Sequence, residues 1–292
     1  MSLFAGLEDI VRQDESIGPY TWLGIGGPAK YFVTPRSVEE LSEVVRRCNE
    51  NEIPTRVLGA GANLLVDDAG FSGAVVHLRQ GHFTEYRRTE SGLHAAAGAD
   101  MGKLVLHCVR EGLGGLECLT GIPGTVGGCV RMNAGGSFGD IGNVVESVEV
   151  MTAGGELFTR HRPELAFAYR STNITARYIL GVDFRLTEDD PHRILRQVKQ
   201  IWIYKKNTQP LGSRNAGCVF KNPRGISAGA LIDRAGLKGR RVGGAHVSDK
   251  HANFILADAG TKASDVLKLI NTIREEVYKT AEVYLELEIE VW

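Results

Sequence analysis

A cysteine, an arginine and a row of glutamates are the residues of this sequence with the most chemistry to offer. Cys218 lies in NAGCVFKNP, between Gly217 and a strand-like run, with Lys221 three residues on. A nearby cation favours thiolate or proton-transfer chemistry, whereas a cysteine in apolar surroundings is inert packing, and the local sequence allows both. Arg170 stands in FAYRST between aromatic and polar residues, a setting that reads by itself as a packed surface side chain. Glu286, Glu288 and Glu290 alternate with apolar residues at odd positions 283–291, which is the period of a strand with a solvated face. Lys205 and Lys206 close a basic helical run, where cations suit a helix C-terminus. His246, Asp249 and His251 fall within six residues. Their spacing matches no helical HExxH zinc motif and no GxSxG elbow is present, so structural or surface roles are expected, and no metal site.

Two glycine-rich stretches offer backbone rather than side-chain chemistry. Gly59-Ala60-Gly61-Ala62-Asn63 follows a strand and presents successive N–H groups, which either cradle a pyrophosphate or form a plain turn. It is not a dinucleotide fingerprint, because Ala62-Asn63 leads into another strand rather than a helix. Gly24–Ala29 (GIGGPA) fails the same test, and no GxxxxGK[ST] exists. The larger stretch runs from Gly112 to Gly142, with glycine at eleven of its 31 positions. Leu116, Leu119, Ile122, Val126, Val130 and Met132 interrupt it, so it is no flexible linker; it reads as a buried loop system pressed on a ligand.

The elements that must position these residues are mixed. Ser37 caps a helix to about Asn51 with Glu40 at the box position, and Pro54 opens a strand Thr55–Leu58. A second strand covers Ala74–Leu78, and two more lie in 82–97. Asp100 caps a helix Met101–Arg110. Val145–Met151 and Glu156–Arg160 flank Thr-Ala-Gly-Gly as a hairpin, and Arg177–Leu186 is a strand. After Pro191, a basic helix His192–Lys206 places Ile194, Leu195, Val198, Ile201 and Trp202 on one side. A Gly217–Phe220 strand follows, then a helix Ala228–Ala235 stopped by Gly236 and short strands near Val242–Val247 and Asn253–Leu256. Ser264 is placed as cap of a helix Asp265–Thr280, ahead of the alternating terminal strand. Interleaved elements of this kind argue for α+β rather than a doubly wound sheet.

Composition bounds the rest. A chain of 292 residues is long for one core, so two or three subdomains are expected. A net charge of −1 removes the electrostatic case for a nucleic-acid partner. Five cysteines without CxxC spacing suit a reducing compartment. No leader peptide and no membrane span is expected, which places the protein in the cytoplasm.

Taken in order, GGPA at Gly26–Ala29, VLGAGANLLVDDAGFSGAVV at Val57–Val76, GLGGLECLTGIPGTVGGCVRMNAG at Gly112–Gly135, YRST at Tyr169–Thr172, QPL at Gln209–Leu211, AGCVFKNP at Ala216–Pro223 and LELEIEV at Leu285–Val291 resemble the UDP-N-acetylenolpyruvoylglucosamine reductase family. The resemblance implies a two-part FAD-binding domain of the vanillyl-alcohol-oxidase (PCMH) type, 1–80 and 81–190, and a C-terminal α+β substrate-binding domain, 191–292. It implies non-covalent FAD, with Gly59, Ala60, Gly61, Ala62, Asn63 and Leu64 at the pyrophosphate. Gly121, Ile122, Pro123, Gly124, Thr125, Gly127 and Gly128 would line the flavin. NADPH is the implied hydride donor and a UDP-sugar enolpyruvyl ether the substrate, bound by a monomer. Arg170 matches the family's catalytic cation, Glu288 its terminal acid, Asn222 a substrate-binding residue, and Lys206 is taken as the basic residue near the diphosphate. Cys218 falls where the family usually has a serine proton donor, and Ala62 replaces the serine of a GSN turn. Other readings are an FAD-dependent oxidase of a sugar or hydroxy acid on the same fold, and a catalytically dead flavin- or UDP-sugar-binding protein.

Overall fold

A computed structural model describes residues 3–292. The chain forms two compact units: the first takes the chain up to Gln13, Lys30–Ala60 and Gly73–Tyr204, and the second takes Asp14–Ala29, Gly61–Ser72 and Lys205–Trp292. The fold is α+β, as expected.

The first unit has two sheets. Strands β1 (Val11–Ser16), β2 (Pro28–Val33), β3 (Thr55–Leu58) and β4 (Phe71–His77) form one of order β1–β2–β4–β3. The β3–β4 pair is parallel, with Thr55 opposite Ala74 and Leu58 opposite His77. Helix α1 (Val38–Glu50) makes the crossover, burying Leu41, Val44, Val45 and Cys48 with Val33, Ala74 and Val76. Its cap is half of the expected box. Ser37 accepts from the Glu40 N–H at 3.3 Å, but the Glu40 carboxylate turns to the Arg36 N–H at 2.7 Å. Burial pushes the Cys48 thiol up to about 11, so it is inert packing as expected.

The second sheet is antiparallel, order β8–β7–β9–β6–β5, from β5 (Tyr86–Thr89), β6 (Gly92–Ala96), β7 (Val145–Met151), β8 (Leu157–His161) and β9 (Tyr178–Arg185). The expected hairpin is the β7–β8 pair, with Met151 opposite Leu157. Helix α2 (Met101–Glu111) starts at Asp100, whose carboxylate accepts from the Lys103 N–H at 3.0 Å, and stops at Gly112 with φ +65°. Leu104, Val105 and Cys108 join Val126, Val130, Val148 and Val182 in the core. Helix α4 (Pro191–Thr208) buries Ile194, Val198 and Ile201 as its spacing predicts, but Trp202 is 47% exposed and stands off that stripe.

The second unit holds α5 (Ala228–Arg234), α6 (Ala263–Ala281) and a small sheet Arg241–Val242, Ala245–Val247, Ile255–Ala257 over a core that includes Leu231, Ile232, Val266, Ile270, Ile273 and Leu285. Three expectations are corrected here. Ser264 lies inside α6 rather than capping it; the Asp68 carboxylate instead accepts from the Ala263 and Ser264 N–H groups at 2.7 and 3.2 Å. A carboxylate there serves two free N–H groups and the helix dipole, and no local pattern foretells a cap 195 residues away in sequence. Gly217–Phe220 is not a strand, because Gly217 has φ +76° and the Asn215 carboxamide takes its N–H at 2.9 Å. The chain end alternates in burial but pairs regularly only at Glu290–Val291, parallel to Leu64–Leu65.

Candidate active site

The segments that carry Cys218 and Glu288 pair in the second unit, while Cys218 itself bridges Phe254. Phe220 bridges Leu287 antiparallel, and the Glu288 N–H donates to the Val219 carbonyl at 2.8 Å. The two backbones therefore stand one register step apart. Leu285 and Ile289 are buried, Glu286 and Glu290 exposed, and Glu288 lies between, half-buried. Glu286 approaches Lys221 at 3.8 Å, so the three glutamates are not equivalent. The single solvated face that alternation suggested divides into two outer acids and one drawn inward.

The segment carrying Cys218 is held by isolated bridges, Cys218 to Phe254 and Phe220 to Leu287, and by side-chain amides. Asn253 accepts from the Phe220 N–H at 3.0 Å and donates to the Phe220 carbonyl at 2.8 Å, doing for one residue what a neighbouring strand would do. The Val219 N–H goes to the Asn253 carbonyl at 2.8 Å. Asn222 Oδ1 accepts from the Ala228 N–H at 2.9 Å at the start of α5, whose cap is Ser227. Asn63 belongs to the same assembly, donating to the Glu288 carbonyl at 3.0 Å. Asn215 and Asn253, missed in the sequence, are buried polar residues beside Cys218.

Arg170 belongs to the first unit, at the turn of the hairpin Phe167–Ala168 to Ser171–Thr172. Its φ is +54°, a left-handed conformation that costs a non-glycine residue on the order of 1 kcal/mol and marks a placed side chain. The guanidinium donates to the Gly135 carbonyl at 2.9 Å and lies 5.1 Å from the Tyr169 ring centroid. Asn133 adds a bond to the Ala168 carbonyl at 2.9 Å. Arg170 is thus packed, as its own setting suggested, and is fixed to the glycine stretch.

The glycines serve the chain's own packing. A Cβ on Gly127 would stand 2.8 Å from the Ala97 Cβ, and one on Gly124 2.9 Å from the Cys129 sulfur. Thr125 caps α3 (Val126–Arg131) by accepting from the Gly128 N–H at 3.2 Å, and a Cβ on Gly59 would meet its Oγ1 at 2.8 Å. Gly61, with φ +63°, is forced by the Tyr20 carbonyl, 2.2 Å from where its Cβ would be. Beside Gly59 is His77. Burial first, then the Arg79 and Arg12 guanidiniums, push its pKa down to about 4 against a bond to the Gly59 backbone. Backbone donors with two cations nearby fit a cofactor diphosphate.

Lys206 is exposed, its carbonyl accepting from Lys250 Nζ at 2.6 Å; Lys205 is the buried lysine, at 6%. The sequence held that signal, since 194, 198, 201 and 205 share the inward stripe of α4. The histidines have structural roles. His251 Nδ1 accepts from the Asn253 N–H at 3.2 Å and burial lowers its pKa, while His246 Nδ1 lies 3.9 Å from Asp258.

Two sheets with glycine turns ahead of a small α+β unit define a flavin-binding oxidoreductase frame, and comparisons agree. An FAD binding domain family matches residues 29–160, and the C-terminal domain of UDP-N-acetylenolpyruvoylglucosamine reductase matches residues 209–292. The chain is 41% identical over 284 residues to the UDP-N-acetylenolpyruvoylglucosamine reductase of Carboxydothermus hydrogenoformans, covering 96% of this chain and 93% of that one. It is 40% identical over 282 residues to that of Syntrophus aciditrophicus, covering 95% and 90%. The crystal structure of the reductase from Thermus caldophilus superposes with a TM-score of 0.84 at 40% identity, covering 97% of this chain and 99% of that one. A glucose dehydrogenase, Phl p 4.0202, shares the fold over 65% of this chain at 15% identity and a TM-score of 0.51. The chain belongs to the UDP-N-acetylenolpyruvoylglucosamine reductase family.

Proposed function

We propose that this protein reduces the enolpyruvyl group of UDP-N-acetylenolpyruvoylglucosamine to give UDP-N-acetylmuramate for peptidoglycan synthesis, with FAD as cofactor and NADPH as hydride donor. The observation that carries this reading is the pairing of the segment that holds Cys218 with the segment that holds Glu288, through Phe220–Leu287 and the Glu288 N–H to the Val219 carbonyl, in a chain of this family.

FAD, when bound, supplies hydride to the enolpyruvyl C3. That addition builds negative charge towards the substrate carboxylate, so a cation and an acid must be in place beforehand. Arg170, already fixed by Gly135, is the cation. Cys218 donates the proton to C2. A thiol is a stronger acid than a serine hydroxyl, so the replacement keeps the donor and yields a thiolate that is easier to stabilise. Glu288 carries its proton when it hydrogen-bonds the substrate carboxylate, because two carboxylates cannot both be charged at that distance. Asn222 and a lysine at the end of α4 serve the UDP portion, and its buried setting makes Lys205 a stronger choice than Lys206. Gly59–Leu64 and Gly121–Gly128 hold the cofactor.

Among the described residues no helix is long and apolar enough to cross a membrane. The reading includes a cytoplasmic location and action as a monomer, which cell fractionation and sedimentation check. Its direct test is oxidation of NADPH dependent on the enolpyruvyl UDP-sugar; oxygen serving as the efficient acceptor would favour the oxidase reading.

A further inference from the structure

The first unit buries one cationic donor that its own chain leaves unsatisfied. Arg79 Nη1 is buried and has no hydrogen-bond partner among the described residues. The Asp100 Oδ2 atom lies 3.9 Å from it, beyond hydrogen-bond reach, and the other carboxylate oxygen is committed to the Lys103 N–H at the start of α2. The Arg79 side chain is 31% exposed as a whole, but Nη1 itself lies inside, and a buried donor atom without an acceptor costs free energy that a ligand acceptor recovers.

The backbone places Arg79. One residue, Leu78, separates it from the end of β4, and its N–H turns back to the His77 carbonyl at 3.0 Å. The preceding Leu78 carbonyl sits where a Cβ on Gly98 would be, at 1.6 Å, so this segment is pressed onto residues 98–100. Asp100 in turn bridges Thr125, and Thr125 Oγ1 fills the space beside Gly59. His77 closes the circuit, bonding the Gly59 backbone and sensing the Arg79 charge. Arg79 therefore stands where the Gly59 turn meets the Thr125 turn. Arg12, the other cation near His77, lies over the Phe32 ring at 5.1 Å.

We propose that Arg79 is an FAD-binding residue of this protein, donating from its buried Nη1 to a diphosphate oxygen of the cofactor. Both glycine turns offer backbone dipoles there; Arg79 adds the full charge and the planar donor geometry that a diphosphate oxygen prefers. The inference rests on the flavin reading above.

The test is FAD titration of apoprotein by flavin fluorescence, with melting of the apo form, for the wild type, Arg79→Met, Arg79→Lys and Asp100→Asn. Arg79→Met is expected to weaken FAD binding by about tenfold or more while the apo form melts no lower than the wild type. Arg79→Lys should fall between, and Asp100→Asn, which keeps a competent cap, should bind FAD within about twofold of the wild type. Should Arg79→Met not fold, the lysine and asparagine variants decide. Unchanged FAD affinity in the Arg79 variants overturns the proposal, as does a loss in Asp100→Asn equal to that of Arg79→Met. Wild-type protein that binds no FAD would instead defeat the functional reading.

Discussion

His77 gives the account a pH dependence whose size follows from its surroundings. Its pKa falls from 6.5 to about 4, chiefly through burial and then through Arg79 and Arg12. In the unfolded chain His77 takes up a proton as the pH drops below its ordinary value, while in the folded chain it stays neutral until about pH 4. Protons thus favour the unfolded state in that window: the contribution is whole above pH 6.5 and is lost as the pH falls towards 4. Full titration of such a shift is worth about 3 kcal/mol, of which about 2 kcal/mol is lost between pH 7 and pH 4.5. His77→Gln keeps a donor for Gly59 and removes the titration. Urea unfolding of both apoproteins, followed by circular dichroism at several pH values in this window, measures the difference; carboxylates common to both cancel. The wild type should lose about 2 kcal/mol more than the variant on acidification. Parallel curves would refute the argument, showing that His77 is solvated or already charged in the native state.

Other perturbations test separate parts. Cys218→Ser should keep much of the turnover, whereas Cys218→Ala should lose reduction of the enolpyruvyl sugar yet still accept hydride from NADPH; normal steady-state turnover of the alanine variant would place the proton donor elsewhere. Asp68→Ala removes two bonds to the start of α6 and should cost roughly 1–2 kcal/mol in denaturant unfolding, while Ser264→Ala should cost almost nothing. Gly61→Ala sets a Cβ 2.2 Å from the Tyr20 carbonyl at a positive φ, so poor folding or loss of the flavin spectrum is expected; a normal spectrum would contradict the turn geometry.

The elements that local physics controls were readable: the Ser37 and Asp100 caps, the Gly236 stop, the β7–β8 hairpin and the apolar stripes of α1, α4 and α6. The misreadings lie where a distant partner decides. Asp68 caps α6 in place of Ser264 because a charged acceptor from another part of the chain reaches the helix start. The segment with Cys218 looks apolar enough for a strand, yet Gly217 and the Asn215 and Asn253 carboxamides take over its backbone bonds. Motif order singles out Arg170, Cys218 and Glu288, whereas each residue alone points to a surface or packing role. Only pairing and burial separate Glu288 from Glu286 and Glu290. The glycines were read as surfaces for a ligand, and much of their need is internal: Gly124, Gly127 and Gly59 let Cys129, Ala97 and Thr125 approach. The burial of Lys205 is legible as the next position on the inward stripe of α4, while Lys206 falls off that stripe.

The central claim is that one cofactor passes hydride from NADPH to an enolpyruvyl UDP-sugar, with Cys218 supplying the proton. Anaerobic absorbance of the holoenzyme tests it most directly. NADPH should bleach the flavin band, and the enolpyruvyl sugar should then restore it in the wild type and in Cys218→Ser, but not in Cys218→Ala. A reduced flavin that the sugar leaves bleached in the wild type, and that only oxygen reoxidises, would contradict the account.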